Sequence, residues 1–235
     1  MGKNMKLELC AASIEAIKIA KQLNFNRIEL CQSLEQGGLT PSIGMIEFAL
    51  KQKLETHVLI RPRPGGFVYN SDEIEIINTN INLCKELGVN GIVIGILDQK
   101  KEINEEIVNL IVRNSKDMEI TFHRAFDDTS CFRRSLDILV NIGVTRVLSS
   151  GLELNVDSGF NNLKEMVEYA NGKIQIMAGG GINPGNISKI IDEVRPDAIH
   201  FSGTEWVEID NNSLYRQKVL KISREKLLKL HSRFL

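Results

Sequence analysis

Apolar and polar residues along the chain follow a repeated order: a helical stretch, a turn, then a short strand that ends in a polar residue or glycine. Three segments show this order most clearly, residues 23–31 (LNFNRIELC), 87–95 (LGVNGIVIG) and 142–151 (IGVTRVLSSG). Read along the whole chain, the pattern predicts eight strands, each followed by a helix. The strands are expected near residues 5–10, 26–31, 56–61, 90–95, 119–123, 145–150, 173–178 and 197–202.

Strands that alternate with helices favour a parallel sheet, and eight such units in 235 residues predict one closed (β/α)8 TIM barrel, of α/β class, over residues 1–235. An open doubly wound sheet is the alternative. The turn after the first strand lacks the Gly-x-Gly-x-x-Gly fingerprint of dinucleotide folds. Residues 1–4 are expected to extend from the barrel, and residues 205–235 to form an amphipathic C-terminal helix.

The alternation of side chains within each strand predicts which residues face the lumen, because the outward set must pack beneath the helices. On each of the first two strands, outward leucines and isoleucines leave a Glu-x-Cys pair facing inward. These pairs are Glu8 with Cys10 and Glu29 with Cys31. On later strands the same parity turns further polar residues inward: Arg61, Thr121, His123, Ser150, His200 and Ser202.

Packing alone does not explain carboxylates, an arginine and imidazoles at one end of a lumen otherwise expected to hold branched apolar residues. The sequence therefore predicts a polar site at the mouth, with five catalytic candidates: Glu8, Glu29, Arg61, His123 and His200. In the alternative interpretation, Glu8 and Glu29 form structural ion pairs with Arg61. We expect the other histidines and cysteines to have structural roles. His57 is expected at the bottom or in the core of the barrel, His231 on a solvated face, and Cys84 and Cys131 as packing residues of helices.

Small residues follow the last two predicted strands, where many barrels bind phosphate through backbone N–H groups. The predicted anion-binding residues are Gly179, Gly180, Gly181 and Ser202. Alternatively, these glycines only permit tight turns with positive φ. Glycine- and proline-rich segments at residues 37–41 and 62–66 predict long loops over the mouth.

Composition narrows the class of partner. The 29 Lys and Arg against 30 Asp and Glu give a formal net charge of -1, so no overall field attracts nucleic acid or an anionic membrane. No apolar run approaches the roughly 18 residues of a membrane span. The four cysteines are far apart, without a Cys-x-x-Cys pair. We expect reduced thiols, a cytoplasmic protein, and a small molecule or ion as partner.

Long motifs in the chain resemble the CutC family, which is named for copper homeostasis. The resemblance extends from residue 7 to about residue 203, and its motifs are IELCQSLEQGGLTPS (28–42), LIRPRPGGFVY (59–69), FHRAFD (122–127), LSSG (148–151), IMAGGGI (176–182) and His200. It implies a (β/α)8 fold, a cytoplasmic homodimer, and copper binding as part of copper homeostasis. The loop after Arg61 departs from the family pattern, since Pro64-Gly65-Gly66 lacks the usual aspartate.

The sequence is compatible with two functions. In the first, a copper homeostasis protein binds copper as Cu(I) through the soft thiols of Cys10 and Cys31, with Met177 as a third ligand. In the second, an enzyme acts on a small anionic metabolite held by Arg61 and the 179–181 loop, with Glu8 or Glu29 as general base and His123 as general acid. Isomerase, lyase and hydrolase chemistry all remain open. In the alternative interpretation, Cys10 and Cys31 are inert packing residues in a reduced cytosol and have no functional role.

Overall fold

A computed structural model describes residues 5–209 and 217–234. Eight parallel strands form a closed barrel in the order of the chain, so the predicted (β/α)8 fold is confirmed. Each strand overlaps one predicted from the sequence. They are β1 (Lys6–Ala11), β2 (Arg27–Leu30), β3 (Glu55–Leu59), β4 (Gly91–Ile94), β5 (Glu119–Phe122), β6 (Arg146–Ser149), β7 (Gln175–Gly179) and β8 (Ala198–Phe201).

Helices follow the strands and cover the outside of the barrel. They are α1 (Ile14–Gln22), α2 (Ile43–Lys51), α3 (Ser71–Leu87), α4 (Glu105–Asn114), α5 (Phe132–Ile142), α6 (Phe160–Ala170) and α7 (Ile187–Lys189), which continues as a π-helical turn (Ile190–Val194). Polar caps set several helix starts. Before α3, for example, Asn70 and Glu73 form a reciprocal capping box, and Gly88 ends the helix at φ 72°.

The outward parity of the strands places the main apolar core between sheet and helices, where Leu7, Leu9, Ile28 and Leu30 are buried. The lumen differs from the predicted branched apolar filling. Arg27 and Arg146 are among the largest fully buried side chains, and both lie inside the barrel against carboxylates. Their charges are tolerated there because each is paired and hydrogen-bonded.

The predicted helix over residues 205–235 is wrong for residues 205–209 and 217–222. Strands β9 (Thr204–Ile209) and β10 (Gln217–Ile222) form an antiparallel two-stranded ribbon, and α8 (Arg224–His231) is the α-helix among the described residues of this segment. Apolar and β-branched residues in TEWVEI and QKVLKI favour strands over a helix. Within the described ranges, none of the helices is both long and apolar enough to cross a membrane.

Cysteines and histidines with predicted structural roles are placed as follows. His57 and Cys84 are buried, in agreement with the sequence. Cys131 is an exposed cysteine at the N-cap of α5 and not a packing residue, because it precedes the first helical turn. His231 lies beside the Phe25 ring, with 5.5 Å between ring centroids, and is half-buried rather than fully solvated.

Candidate functional site

A cavity of about 260 Å³ lies at the mouth of the barrel, at the carboxyl ends of the strands. Among its lining residues are Cys10, Glu29, Arg61, His123 and His200, each predicted at this end from strand parity. The remaining lining residues are Leu34, Gly37, Leu59, Phe67, Arg124 and Leu148. The structure thus brings four of the five catalytic candidates and one candidate thiol to one cavity.

Glu8 is the fifth catalytic candidate and lies beneath the cavity with no exposed surface. Its Oε2 accepts a hydrogen bond from Arg27 Nε, and its Oε1 accepts one from His200 Nδ1 at 2.7 Å. Burial opposes ionisation, but Arg27 and His200 outweigh it and hold the pKa of Glu8 far below its usual range. The structural ion pair considered from the sequence therefore exists for Glu8, with Arg27 in place of Arg61.

The thiols of Cys10 and Cys31 meet at the wall shared by β1 and β2. Their Sγ atoms are 3.7 Å apart, and both residues are buried. The hydrogen bond between the thiols and their burial raise the pKa of Cys10 well above its usual value, so it is protonated at neutral pH. Met177 does not join them as predicted, because its Sδ contacts Arg27 Nη2 deeper in the barrel.

Glu29 and His200 complete this polar cluster. Single donor atoms of Cys10, Glu29 and His200 all lie within 4.8 Å of one another. Burial, only partly offset by His200, raises the pKa of Glu29 to about 7. Burial opposes protonation of His200, but the negative charge of Glu29 and the contact with Glu8 hold its pKa well above the usual value. A carboxyl with a pKa near neutrality and a protonated imidazole thus face the thiols.

Arg61 orders the loops over the mouth. Its Nη1 donates to the carbonyl oxygens of Gln36 and Gly38, at 3.0 and 2.9 Å, and its Nη2 donates to that of Gly65 at 2.9 Å. The two predicted mouth loops are therefore tied together through one guanidinium. With three carbonyls on these nitrogens, the role of Arg61 as an anion clamp remains a prediction.

His123 is a neutral imidazole. Burial, reinforced by the positive charge of Arg61, lowers its pKa to about 3. Its Nδ1 accepts a hydrogen bond from the backbone N–H of Ala125 at 3.0 Å, which places the remaining proton on Nε2. A neutral imidazole is a poor proton donor near pH 7, so this environment favours hydrogen bonding to a ligand over the predicted general-acid role.

The predicted anion-binding residues lie beside the cavity on the β7 and β8 side. A side chain at Gly179 would come within 3.1 Å of His200 Cβ, and one at Gly180 within 3.0 Å of the Arg124 guanidinium. Gly180 and Gly181 have φ values of 95° and 86°, which glycine adopts without strain. Ser202 Oγ lies 3.0 Å from Thr204 Oγ1, toward the ribbon. Their role in anion binding stays a prediction.

Sequence reasoning missed Arg124 and Asp127, both within the FHRAFD motif. Asp127 accepts hydrogen bonds from Arg124 Nε at 2.8 Å and from Ser150 Oγ at 2.9 Å, which fixes the guanidinium beside Gly180. The FHRAFD motif was the feature of the sequence that could have identified these two residues. These residues follow β5 in a 3-10 turn, where strand parity does not apply.

Comparisons with known proteins agree with this architecture. The CutC family model matches residues 5–205. The family protein CutC of Glaesserella parasuis serovar 5 is 41% identical over 201 residues, which cover 84% of this chain and 82% of that protein. That of Enterococcus faecalis is 38% identical over 208 residues, covering 85% and 99%.

Solved structures give the same result. The putative copper homeostasis protein CutC from Streptococcus agalactiae has a TM-score of 0.79 and 33% identity, covering 83% of this chain and 97% of that one. Phosphoribosylanthranilate isomerase from Thermotoga maritima, at 11% identity and a TM-score of 0.61, shares the fold alone. By the family model and these relatives, the chain belongs to the CutC family.

Proposed function

We propose that this chain binds Cu(I) at the barrel mouth through Cys10 and Cys31, and that it acts in copper homeostasis. The observation that carries the proposal is the separation of 3.7 Å between the two Sγ atoms. Thiolates are soft ligands that favour Cu(I), whereas carboxylates favour harder ions. The similarity to the Streptococcus agalactiae protein, which is named for copper homeostasis, supports the same function here.

The thiol spacing fits a bent site with a further ligand. Metal–thiolate bonds of about 2.3 Å would require sulfurs about 4.6 Å apart in a linear arrangement. The observed 3.7 Å is shorter. A third donor is available, because Glu29 and His200 each offer a ligand atom within 4.8 Å of Cys10 Sγ.

His200 is the favoured third ligand. Its Nδ1 donates to Glu8 at 2.7 Å, so Nε2 is the ring nitrogen available to a metal beside Cys10. Ligand histidines in metalloproteins usually donate their other ring N–H to a carboxylate, which fixes the tautomer and orientation. Glu8 has this relation to His200. Cu(I) must displace the thiol protons and a proton on His200, so binding releases protons and strengthens as the pH rises.

The contrast with Cys84 supports a functional role for the pair. Cys84 is buried in apolar surroundings in α3, and burial raises its pKa to about 12. A cysteine in such a place packs like a small apolar residue. Cys10 instead borders the mouth cavity, beside a second thiol, a carboxyl and an imidazole.

X-ray absorption of the full-length protein loaded with one equivalent of Cu(I) tests the ligand set. We expect two sulfur scatterers at about 2.3 Å and one lighter scatterer, by analogy with other metal–thiolate bonds. In the Cys10→Ser/Cys31→Ser variant both sulfur contributions should disappear. A copper shell with only nitrogen and oxygen neighbours in the parent protein would contradict the proposal.

We infer a second candidate function, acid–base catalysis on a small anionic metabolite. The observation in its favour is Glu29, whose pKa of about 7 lies in the range that a general base requires, inside a cavity bordered by Arg124. Arg124 beside Gly180 would hold the anion. Native mass spectrometry of freshly purified protein distinguishes the two functions, since it detects either a bound metabolite or copper.

A cytoplasmic location and a homodimeric assembly accompany the copper-binding function that we propose. The described cysteines are all free, which suits a reducing cytoplasm. The family resemblance favours a homodimer. Light scattering during size-exclusion chromatography measures the assembly, and a monomer at working concentration would remove the dimer from the proposal without affecting the thiol site.

A further inference from the structure

A second cluster of metal-ligand side chains lies at the opposite end of the barrel, at the amino-terminal ends of the strands. Glu55 and Glu119 are the first residues of β3 and β5, and His57 follows on β3. One ligand atom from each lies within 4.8 Å of the others. We infer that these three residues form a binding site for a divalent first-row metal ion of the Zn²⁺ class, separate from the thiols at the mouth.

The surroundings of His57 also indicate a bound ligand. Its side chain has no exposed surface, and neither ring nitrogen has a hydrogen-bond partner among the described residues. Nε2 lies 3.6 Å from Glu55 Oε1 and 3.7 Å from Glu119 Oε2. These distances exceed normal hydrogen bonds. They lie close to the separation of about 3.4 Å between two ligands of a tetrahedral ion with bonds of about 2.1 Å.

The protonation states suit a metal site. Burial lowers the pKa of His57, so the imidazole is neutral and keeps a lone pair. The contact with His57, together with Lys6 and Arg27, lowers the pKa of Glu55 to about 2. Burial opposes ionisation of Glu119, but the hydrogen bond from Arg146 outweighs it, and its pKa lies below the usual value. One neutral nitrogen and two carboxylates are ligands that Zn²⁺ accepts.

Three cations face the same carboxylates. Arg146 Nη2 lies 2.8 Å from Glu119 Oε2, Arg27 Nη1 lies 3.4 Å from Glu55 Oε1, and Lys6 Nζ lies 3.6 Å from Glu55 Oε2. Arg27 also pairs with Glu8 on its other side. A dication therefore competes with existing ion pairs, so this site should bind more weakly than two free carboxylates and an imidazole would.

The cluster is reachable from solvent. A cavity of about 570 Å³ at this end is bordered by Glu55, Asn90 and Glu119, and the side chains of the two glutamates are 29% and 40% exposed. Gly91 gives the imidazole its position, because a side chain there would lie 2.7 Å from His57 Nε2. An ion entering this cavity meets the two carboxylates first and the buried nitrogen behind them.

The test uses the full-length Cys10→Ser/Cys31→Ser protein, so that the mouth thiols do not contribute. Calorimetric titration with Zn²⁺ should show one site, and Co²⁺ should give the visible spectrum of a bound ion. Adding His57→Asn or Glu55→Gln should lower Zn²⁺ affinity by about tenfold or more, since even outer-shell changes cost that much at metal sites. Glutamine has nearly the same shape as glutamate, so Glu55→Gln should still test the site if the buried His57→Asn variant fails to fold.

His231→Gln in the same background is the matched control, because this histidine lies on α8 beside Phe25. Its Zn²⁺ affinity should equal that of the double variant, and melting curves confirm folding. The inference is overturned if the double variant shows no specific Zn²⁺ site, or if His57→Asn and Glu55→Gln both bind Zn²⁺ unchanged. Neither result depends on whether the mouth binds copper.

Discussion

The carboxylate of Glu8 lies between two cationic groups, with one oxygen on Arg27 and the other 2.7 Å from His200 Nδ1. The register makes this possible, because Glu8 is paired with Arg27 on β2 and with His200 on β8. The contact of Glu8 with His200 joins the ionic interior of the barrel to the cavity at the mouth. Glu8 is therefore a positioning residue for His200.

Glu8→Gln should destabilise the protein by about 3 kcal/mol, because it leaves the buried charge of Arg27 with only its longer contacts to the partly exposed Glu55 and Glu119. Denaturant unfolding measures the change. Glu225→Gln, which breaks an exposed pair with Lys229, is the control and should change the stability far less, because solvent screens an exposed ion pair. Equal effects of the two substitutions would remove the structural role of Glu8.

Stability should also depend on pH through Glu8. Its folded pKa lies below the value of 4.5 in an unfolded chain, so its contribution is present above pH 4.5 and is lost as the pH falls. The loss of stability on acidification should be shallower in Glu8→Gln than in the parent. Identical acid profiles of the two proteins would contradict this assignment.

Glu29 should act in the opposite direction. Its folded pKa is raised from 4.5 to about 7, so the favourable effect of its protonation is present below pH 4.5 and is lost as the pH rises toward 7. Between pH 5 and pH 8 the free energy of unfolding should fall less in Glu29→Gln than in the parent. An equal fall in the two proteins would show that Glu29 is ionised in the fold.

His123 should remain neutral. Because burial lowers its pKa to about 3, its ring resonances should not titrate between pH 8 and pH 5. His123→Ala removes the acceptor for Ala125 N–H and should cost about 1 kcal/mol or more. Titration of His123 near pH 6.5 would restore it as a general-acid candidate.

Arg61→Lys should loosen the mouth without unfolding the barrel. A lysine ammonium cannot reproduce the forked contacts to Gln36, Gly38 and Gly65. Hydrogen exchange in residues 36–38 and 62–66 should become faster. Arg133→Lys changes an exposed ion pair with Glu165 and should leave these loops as they are. Unchanged exchange in Arg61→Lys would show that other contacts order the loops.

The barrel and the inward residues were predictable because strand alternation is a local property. Leu7 and Leu9 face the helices, so Glu8 and Cys10 must face inward whatever the neighbouring strands do. The partner of each inward residue was not predictable, since it depends on the register between strands. Glu8 therefore pairs with Arg27, while Arg61 holds backbone carbonyls.

Two other features of the protein could not be predicted from the sequence, for different reasons. The inward alternation, continued back to the first residues of β2 and β6, places Arg27 and Arg146 in the lumen. A barrel interior is expected to be apolar, however, and this expectation argues against charged side chains there. The ribbon of β9 and β10 was mistaken for a helix, because its apolar residues fit a helical period as well as alternation.

Competition for Cu(I) with a chelator of known affinity measures directly whether the thiols at the mouth bind copper. The parent protein should bind one Cu(I), and Cys10→Ser/Cys31→Ser should bind it on the order of 100-fold more weakly or not at all, since serine is a poor soft ligand. Cys84→Ser is the matched control and should bind as the parent does. Undiminished affinity in the double variant, or no specific binding by the parent, would contradict the account.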